Sequence, residues 1–263
     1  MSRLMRIRSL LFLGIFALST FAIERLCHKA TDGFMLRHVH TSLSFHPEWE
    51  MQDAKCKEEV STILTQPFHY MGKGAQTYVL ISSDGKYILK LFKFHHLKEE
   101  EIGNLFASYK LAFDEIQHET GLMLVHLNSS THLQTQISVI DRLGIAHQLN
   151  ADTTPFILQR HATLVIPTLE EMRLQKDLQG AKNALSALLN LGKYLEKQKI
   201  YDHDAHLSKN YGFIDNHPIL FDCGNLSKLS HPQTFKAGSL REWLAKNWPE
   251  LSSWFENRER SLQ

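Results

Sequence analysis

The chain of 263 residues carries 29 Lys+Arg against 28 Asp+Glu and 16 His, a formal net charge of +1. Hydrophobic residues at 43% and charged residues at 22% sit near globular averages and exclude a disordered, collagenous or multi-span membrane protein. The balanced charge argues against a nucleic-acid binder. Three widely spaced cysteines, Cys27, Cys56 and Cys223, make neither a disulfide framework nor a zinc knuckle.

Residues 1–23 read as a hydrophobic signal or anchor segment. Arg3, Arg6 and Arg8 precede an uncharged run from Leu10 to Ile23, which as a helix would reach only about 21 Å against a hydrocarbon core of about 30 Å. That length suits an interfacial helix, membrane-associated through residues 9–23, or the apolar region of a cleaved signal. An ordinary buried helix is the third reading. Thr20-Phe21-Ala22 is a poor cleavage signature, and Arg25, Lys29 and Arg37 balance the upstream arginines, so charge hardly selects an orientation.

Residues 24–66 form an N-terminal extension. Within it, Glu50–Leu64 fits a helix with Met51, Ala54, Val60, Ile63 and Leu64 as a partial stripe. His38-Val39-His40 lacks a second ligand pair at metal spacing and reads as an exposed polar loop.

From Phe68 the pattern becomes informative. Aromatic and β-branched residues alternate around Gly72-Lys73-Gly74-Ala75-Gln76-Thr77-Tyr78-Val79 and Asp84-Gly85, giving three short strands and two tight turns. A strand rather than a helix follows the G-x-G, which removes the dinucleotide-fold reading. An antiparallel glycine-rich loop remains, able to bring backbone amides close to phosphates. Lys90 lies in the apolar strand Tyr87–Lys93 and is costly to bury without a partner. An ordinary β-meander with an edge lysine is the alternative.

A helix over residues 98–119 follows, with Leu105, Tyr109, Ala112, Phe113 and Ile116 on its apolar face and Gly121 as its stop. Strands are expected at Leu122–Leu127, Gln136–Asp141, Ile145–Leu149 and Phe156–Leu158, then a hinge through Gln159–Ile166. Leucines at three- and four-residue steps predict a helix from Lys176 to Lys199. Next come Asp202-His203-Asp204, Asn210, a short hairpin and Asp222-Cys223-Gly224. Of the 39 residues after Gly224, a helix from Leu240 capped by Ser239 and a Trp/Phe-rich surface are expected.

In this order the motifs resemble the protein-kinase-like superfamily, over about residues 66–230, and in detail the divergent kinase-like proteins of obligate intracellular bacteria such as chlamydiae. Thr77 replaces the usual third glycine. Asp204 and Asn210 stand six residues apart, one more than is usual, and no A-P-E segment follows. The resemblance implies an α+β bilobal fold. An antiparallel five-stranded N-lobe with one helix would span residues 67–165, and a reduced helical C-lobe residues 166–263. It implies ATP and Mg2+ as cofactors, with Gly72, Lys73, Gly74, Ala75, Thr77, Val79 and Lys90 around the nucleotide. Glu115, in preference to Glu101, would be the helix partner of Lys90. Asn210 and Asp222 would hold the metal and Asp204 would act as base, with Lys209 near the transferred phosphate. The acceptor, protein or small molecule, is open. A pseudokinase serving as a membrane-tethered binding module, and transfer of AMP, are the alternatives. The expected location is membrane-associated or secreted, including delivery to a host cell. An active domain would face a cytosol where ATP is present.

Overall fold

The computed structural model describes residues 3–50, 57–229 and 234–261, with side chains from Phe12 onward. Met51, Ala54 and Cys56 lie outside the described residues. Helix α1 (Arg3–Ala30) keeps every described side chain exposed, including Phe12, Leu13, Ile15, Phe16, Leu18 and Leu26. The buried-helix reading is therefore corrected. Among the described residues, no helix is long and apolar enough to cross a membrane.

The extension does not stay apart from the fold. Phe34 and Val39 are buried, and Phe34 meets Tyr70 and Tyr78 edge-on or tilted. His38 is buried too, bonded to the Tyr78 hydroxyl at 3.0 Å and stacked on His95 at 3.5 Å. The expectation of an exposed polar loop at His38-Val39-His40 fails for two of its three residues. His38 is tolerated inside because burial holds its pKa below the ordinary value, keeping the ring neutral. Helix α2 (Lys57–Leu64) is the described end of the expected helix, with Val60, Ile63 and Leu64 as its buried face.

Strands β1 (Phe68–Lys73), β2 (Thr77–Ser82) and β3 (Tyr87–Phe92) form the antiparallel meander. Helix α3 (Glu99–Thr120) ends on Gly121, whose φ of 66° makes a left-handed cap. Strands β4 (Leu122–His126), β5 (Gln136–Ile140), β6 (Ala146–Asn150) and β7 (Phe156–Arg160) complete one sheet in the order β4-β7-β3-β2-β1-β5-β6. The sheet thus has seven strands rather than five, and it is not wholly antiparallel. The β5–β6 hairpin adds itself to the outer edge of β1, pairing parallel at Phe68–Val139 and His69–Ile140. That edge would otherwise leave unpaired backbone groups.

Only His161 and Ala162 separate β7 from β8 (Thr163–Leu164), which leads straight into α4 (Val165–Leu174). This helix was not foreseen. Pro167 looks like a breaker but falls in the first turn, where its missing N–H costs nothing. Helix α5 (Leu178–Lys197), capped by Asp177 accepting from the Gly180 amide at 2.8 Å, buries the expected leucine stripe. Strand β9 (Ile200–Asp202) pairs with β12 (Leu226–Lys228), and β10 (Tyr211–Ile214) pairs with β8 and β11 (His217–Leu220). The β10–β11 turn, Asp215-Asn216, has positive φ at both residues, the geometry of a tight hairpin. The C-terminal part is therefore mixed, not purely helical. Helices α6 (Gly238–Asn247) and α7 (Pro249–Arg260) close it. Ser239 lies inside the first turn of α6 rather than capping it, and its hydroxyl instead meets that of Ser208 at 2.5 Å.

One apolar core lies under the β1–β3 and β5–β7 strands, and a second runs from α3 through α5 to α7. Helix α3 thus belongs energetically to the lower half as well as to the sheet. At Gly212 a Cβ would collide with the Thr163 carbonyl oxygen, whereas at Gly72 it would meet nothing within 4 Å. Gly212→Ala is expected to lower unfolding free energy by about 2–4 kcal/mol and Gly72→Ala by less than about 0.5 kcal/mol, as read by urea unfolding.

Candidate functional site

Lys90 stands in the middle of β3, between Val79 on β2 and Ile157 on β7. It is 6% exposed, and its ammonium donates to the Phe221 carbonyl oxygen at 2.6 Å. The rings of Tyr109 and Phe221 lie 5.8 and 5.9 Å from the same nitrogen. Among the described residues no carboxylate comes within ion-pair distance of it. Glu115 instead pairs with Lys228, and Glu101 accepts from the Lys98 backbone at 2.8 Å as part of the α3 capping box. Both glutamates proposed for Lys90 therefore bond elsewhere. The α3 residue beside Lys90 is Tyr109, and Ser108 ties the helix down by donating to the Cys223 carbonyl at 2.5 Å and accepting from the Leu226 amide at 2.6 Å.

The carbonyl that receives Lys90 immediately precedes Asp222. The Phe221 and Asp222 amides donate to the Asn210 carbonyl at 3.0 and 3.4 Å. Asn210, 8% exposed, donates its side-chain amide to the Asp204 carbonyl at 2.6 Å and to Asp204 Oδ2 at 3.3 Å. Lys90, Asp222, Asn210 and Asp204 are thereby joined through one continuous run of hydrogen bonds. The extra residue between Asp204 and Asn210 is absorbed by two stacked turns, with Lys209 and Asn210 amides both donating to the His206 carbonyl. Asp204 Oδ1 meets Lys236 Nζ at 2.8 Å and His206 Nε2 at 3.5 Å. The Lys236 contact holds the Asp204 carboxyl below its ordinary pKa against the opposing effect of burial, and Asn210 adds to the lowering. Lys209 was the cation expected here. Lys236 was missed, because no local spacing connects it to the loop it joins.

The glycine loop turns over residues 74–76. Gly74 donates its amide to Thr77 O at 2.9 Å, and the buried Lys93 donates to Gly74 O at 2.5 Å. A Cβ on Gly72 would meet nothing, and one on Gly74 only Thr77 Oγ1 at 3.9 Å. The fold's own packing does not demand either glycine. Ala75 is exposed at the tip, Thr77 is buried, and Val79 lies beside Lys90 in the register. Lys73 leaves the group: it pairs with Asp32 at 3.0 Å, and Tyr70 donates to the same carboxylate at 2.8 Å. Gln76 was also missed. Its side-chain oxygen stands against Gly224, 2.8 Å from where a Cβ would lie.

Asp202, at the end of β9, accepts from the Tyr211 hydroxyl and from the Asp204 amide, each at 2.8 Å. Cys223 is wholly buried, which pushes its thiol pKa far up and leaves it un-ionised. Among the described residues no group of three or more His, Cys, Asp or Glu is placed to hold a metal ion. An Asn and a single carboxylate remain, a donor set that suits magnesium, which keeps several waters or phosphate oxygens of its own.

No protein-family model and no curated protein matches the chain. Among solved structures, it is similar to WbdD, described as a bifunctional kinase-methyltransferase, at 16% identity, covering 73% of this chain and 45% of that one, with a TM-score of 0.32. A WbdD complex with the kinase inhibitor LY294002 gives 15%, 73%, 45% and 0.31. The erythromycin complex of Rv3197 from Mycobacterium tuberculosis gives 15%, 72%, 54% and 0.28. The chain spans about half the length of these proteins. At such TM-scores the likeness carries no weight beside the chain's own geometry.

Burial raises the Asp202 carboxyl to about 6, against the lowering effect of the Asp204 amide and the Tyr211 hydroxyl. The folded chain therefore holds this proton more tightly than the unfolded chain does, and between roughly pH 4 and pH 6 stability falls as pH rises. Asp202→Asn removes the charge, keeps an oxygen for the Asp204 amide and turns its NH2 to the Tyr211 hydroxyl, which can accept. It is expected to raise Tm by about 2–4 °C near pH 7.5 and to leave it unchanged near pH 4, as read by calorimetry.

Proposed function

We propose that the chain is an ATP- and magnesium-dependent phosphotransferase with a kinase-like site, acting on a protein or small-molecule acceptor. One observation carries the reading: the buried Lys90 ammonium has a carbonyl but, among the described residues, no carboxylate, and that carbonyl belongs to the segment bearing Asp222, which hydrogen bonds join to Asn210 and Asp204. A buried cation without a counter-ion calls for an anion, and the phosphates of a nucleotide would supply one. The open space beside Gly72 and Gly74 supports the same reading, since it leaves room for phosphates to approach the loop backbone. Ala75, Thr77 and Val79 would complete the cover. Lys73 and Glu115, engaged with Asp32 and Lys228, drop out of the nucleotide set.

Asn210 and Asp222 would hold magnesium, which supplies neutralisation of the phosphate charge. Asp204 would orient the acceptor hydroxyl and take its proton as the oxygen bonds to phosphorus and the bridging oxygen leaves with the nucleoside diphosphate. Its ionised state, favoured by Lys236, suits that role. The resemblance to divergent kinase-like proteins of intracellular bacteria belongs to this proposal, as does membrane association. The exposed apolar side chains of α1 support a surface anchor, with the domain facing an ATP-containing compartment.

A catalytically inactive, membrane-tethered binding module is the second reading. The observation favouring it is that neither Glu101 nor Glu115 reaches Lys90. Thermal shift of the full chain with ATP, with and without magnesium, tests the first reading. Magnesium-dependent stabilisation of a few degrees is expected, lost in Lys90→Met and Asp222→Asn. A folded wild type that ATP does not stabilise overturns the phosphotransferase. Stabilisation without release of phosphate from ATP selects the binding module.

A further inference from the structure

The strand-like segment Phe235–Ala237, just before α6, lies against the loop that carries Asp204. Lys236 donates its amide to the Ala205 carbonyl at 2.9 Å and receives the Leu207 amide at 3.3 Å, so its backbone pairs with the loop on both sides. Its neighbours fix it further. The Phe235 ring packs edge-on to Tyr211 at 5.4 Å and presses on Gly192 of α5, while Ala237 is 1% exposed. A few residues on, the Ser208 and Ser239 hydroxyls meet at 2.5 Å. The side chain of Lys236 is thus aimed rather than free: its ammonium lies 2.8 Å from Asp204 Oδ1 and 3.4 Å from the His203 carbonyl oxygen.

We propose that Lys236 is a positioning residue for the transfer step, delivered by its segment to fix the orientation of the Asp204 carboxylate. The inference rests on the phosphotransferase reading above. The two oxygens of Asp204 have separate partners, Lys236 at 2.8 Å with His206 at 3.5 Å on Oδ1, and Asn210 on Oδ2. With the Asp204 backbone already held by Asp202 and Asn210, the remaining freedom is rotation of the carboxylate plane, and Lys236 removes it. Both side chains are 49% exposed, so the pair contributes little to stability. Its effect is on geometry, where a small misalignment of a general base lowers rate.

The test uses the full chain, hydrolysis of magnesium-ATP to ADP and phosphate as the transfer to water, and direct titration calorimetry of magnesium-ATP. Lys236→Gln is expected to fold normally, to lower kcat at least tenfold, and to leave KM and ATP affinity within twofold. Lys236→Arg, which keeps a donor at Oδ1, is expected to recover most of kcat. Unchanged kcat in Lys236→Gln overturns the proposal. A raised kcat also overturns it and makes the lysine an inhibitory latch. A parallel loss of ATP affinity overturns it in favour of a nucleotide contact. A wild type that binds no ATP fails the underlying reading, whereas a wild type that turns over beside an unaffected Lys236→Gln fails this inference alone.

Discussion

The ammonium of Lys90 on the carbonyl of Phe221 is the contact on which the arrangement of this molecule depends. It joins the centre of the seven-stranded sheet to the segment after β11, residues 131 positions apart in the chain. A buried charge is tolerated only where its hydrogen bonds are met, and here a carbonyl and two aromatic rings share that duty. From Phe221 hydrogen bonds continue through Asn210 to Asp204, so this lysine is tied to the segments that carry the other polar groups. Ser108 repeats the tie two residues further on, clamping α3 to the same segment.

Buried groups around this contact separate by environment. Asp202, shielded and bonded to a tyrosine, is pushed toward neutrality, while Asp204 two residues later is held ionised by Lys236. Two carboxyls in one loop thereby differ: Asp202 braces the loop from inside, and Asp204 is half-exposed and paired with Lys236. Lys93 differs again, since burial lowers its pKa while it holds the loop tip through Gly74.

Most elements were legible where periodicity was strong. The β1–β3 meander, α3 with its Gly121 stop, and the leucine stripe of α5 follow from alternation, capping and three-to-four spacing alone. The segments that the motif order singled out, bearing Lys90, Asn210, Asp204 and Asp222, are joined by hydrogen bonds. What was not legible depends on distance in the chain. Nothing local says that β5–β6 should attach beside β1 rather than extend the far edge, because strand pairing is a tertiary choice. Glutamate partners failed for a similar reason: α3 offers several, and its rotation is set by Leu105, Tyr109 and Ala112 packing inward, which turns Glu101 and Glu115 outward. Lys236 and Gln76 are polar residues in unremarkable contexts, visible only once the segments carrying them come together. His38 was misread because a polar residue was assumed to be solvated, while aromatic neighbours gave it a buried place.

The attachment of the β5–β6 hairpin has a consequence for motion. It grips β1 only at Phe68 and His69, the end far from the glycine loop, and the bulge between Tyr70 and Gly72 interrupts the ladder just beyond. Asp32 holds the following stretch through Tyr70 and Lys73. The root of β1 is therefore fastened on both edges, and residues 74–76 are held at their two ends by Lys93, whose ammonium donates to Gly74 O and whose amide donates to Gln76 O at 2.9 Å. Lifting the loop tip would thus cost two hydrogen bonds to a single residue while leaving the ladder beneath it intact.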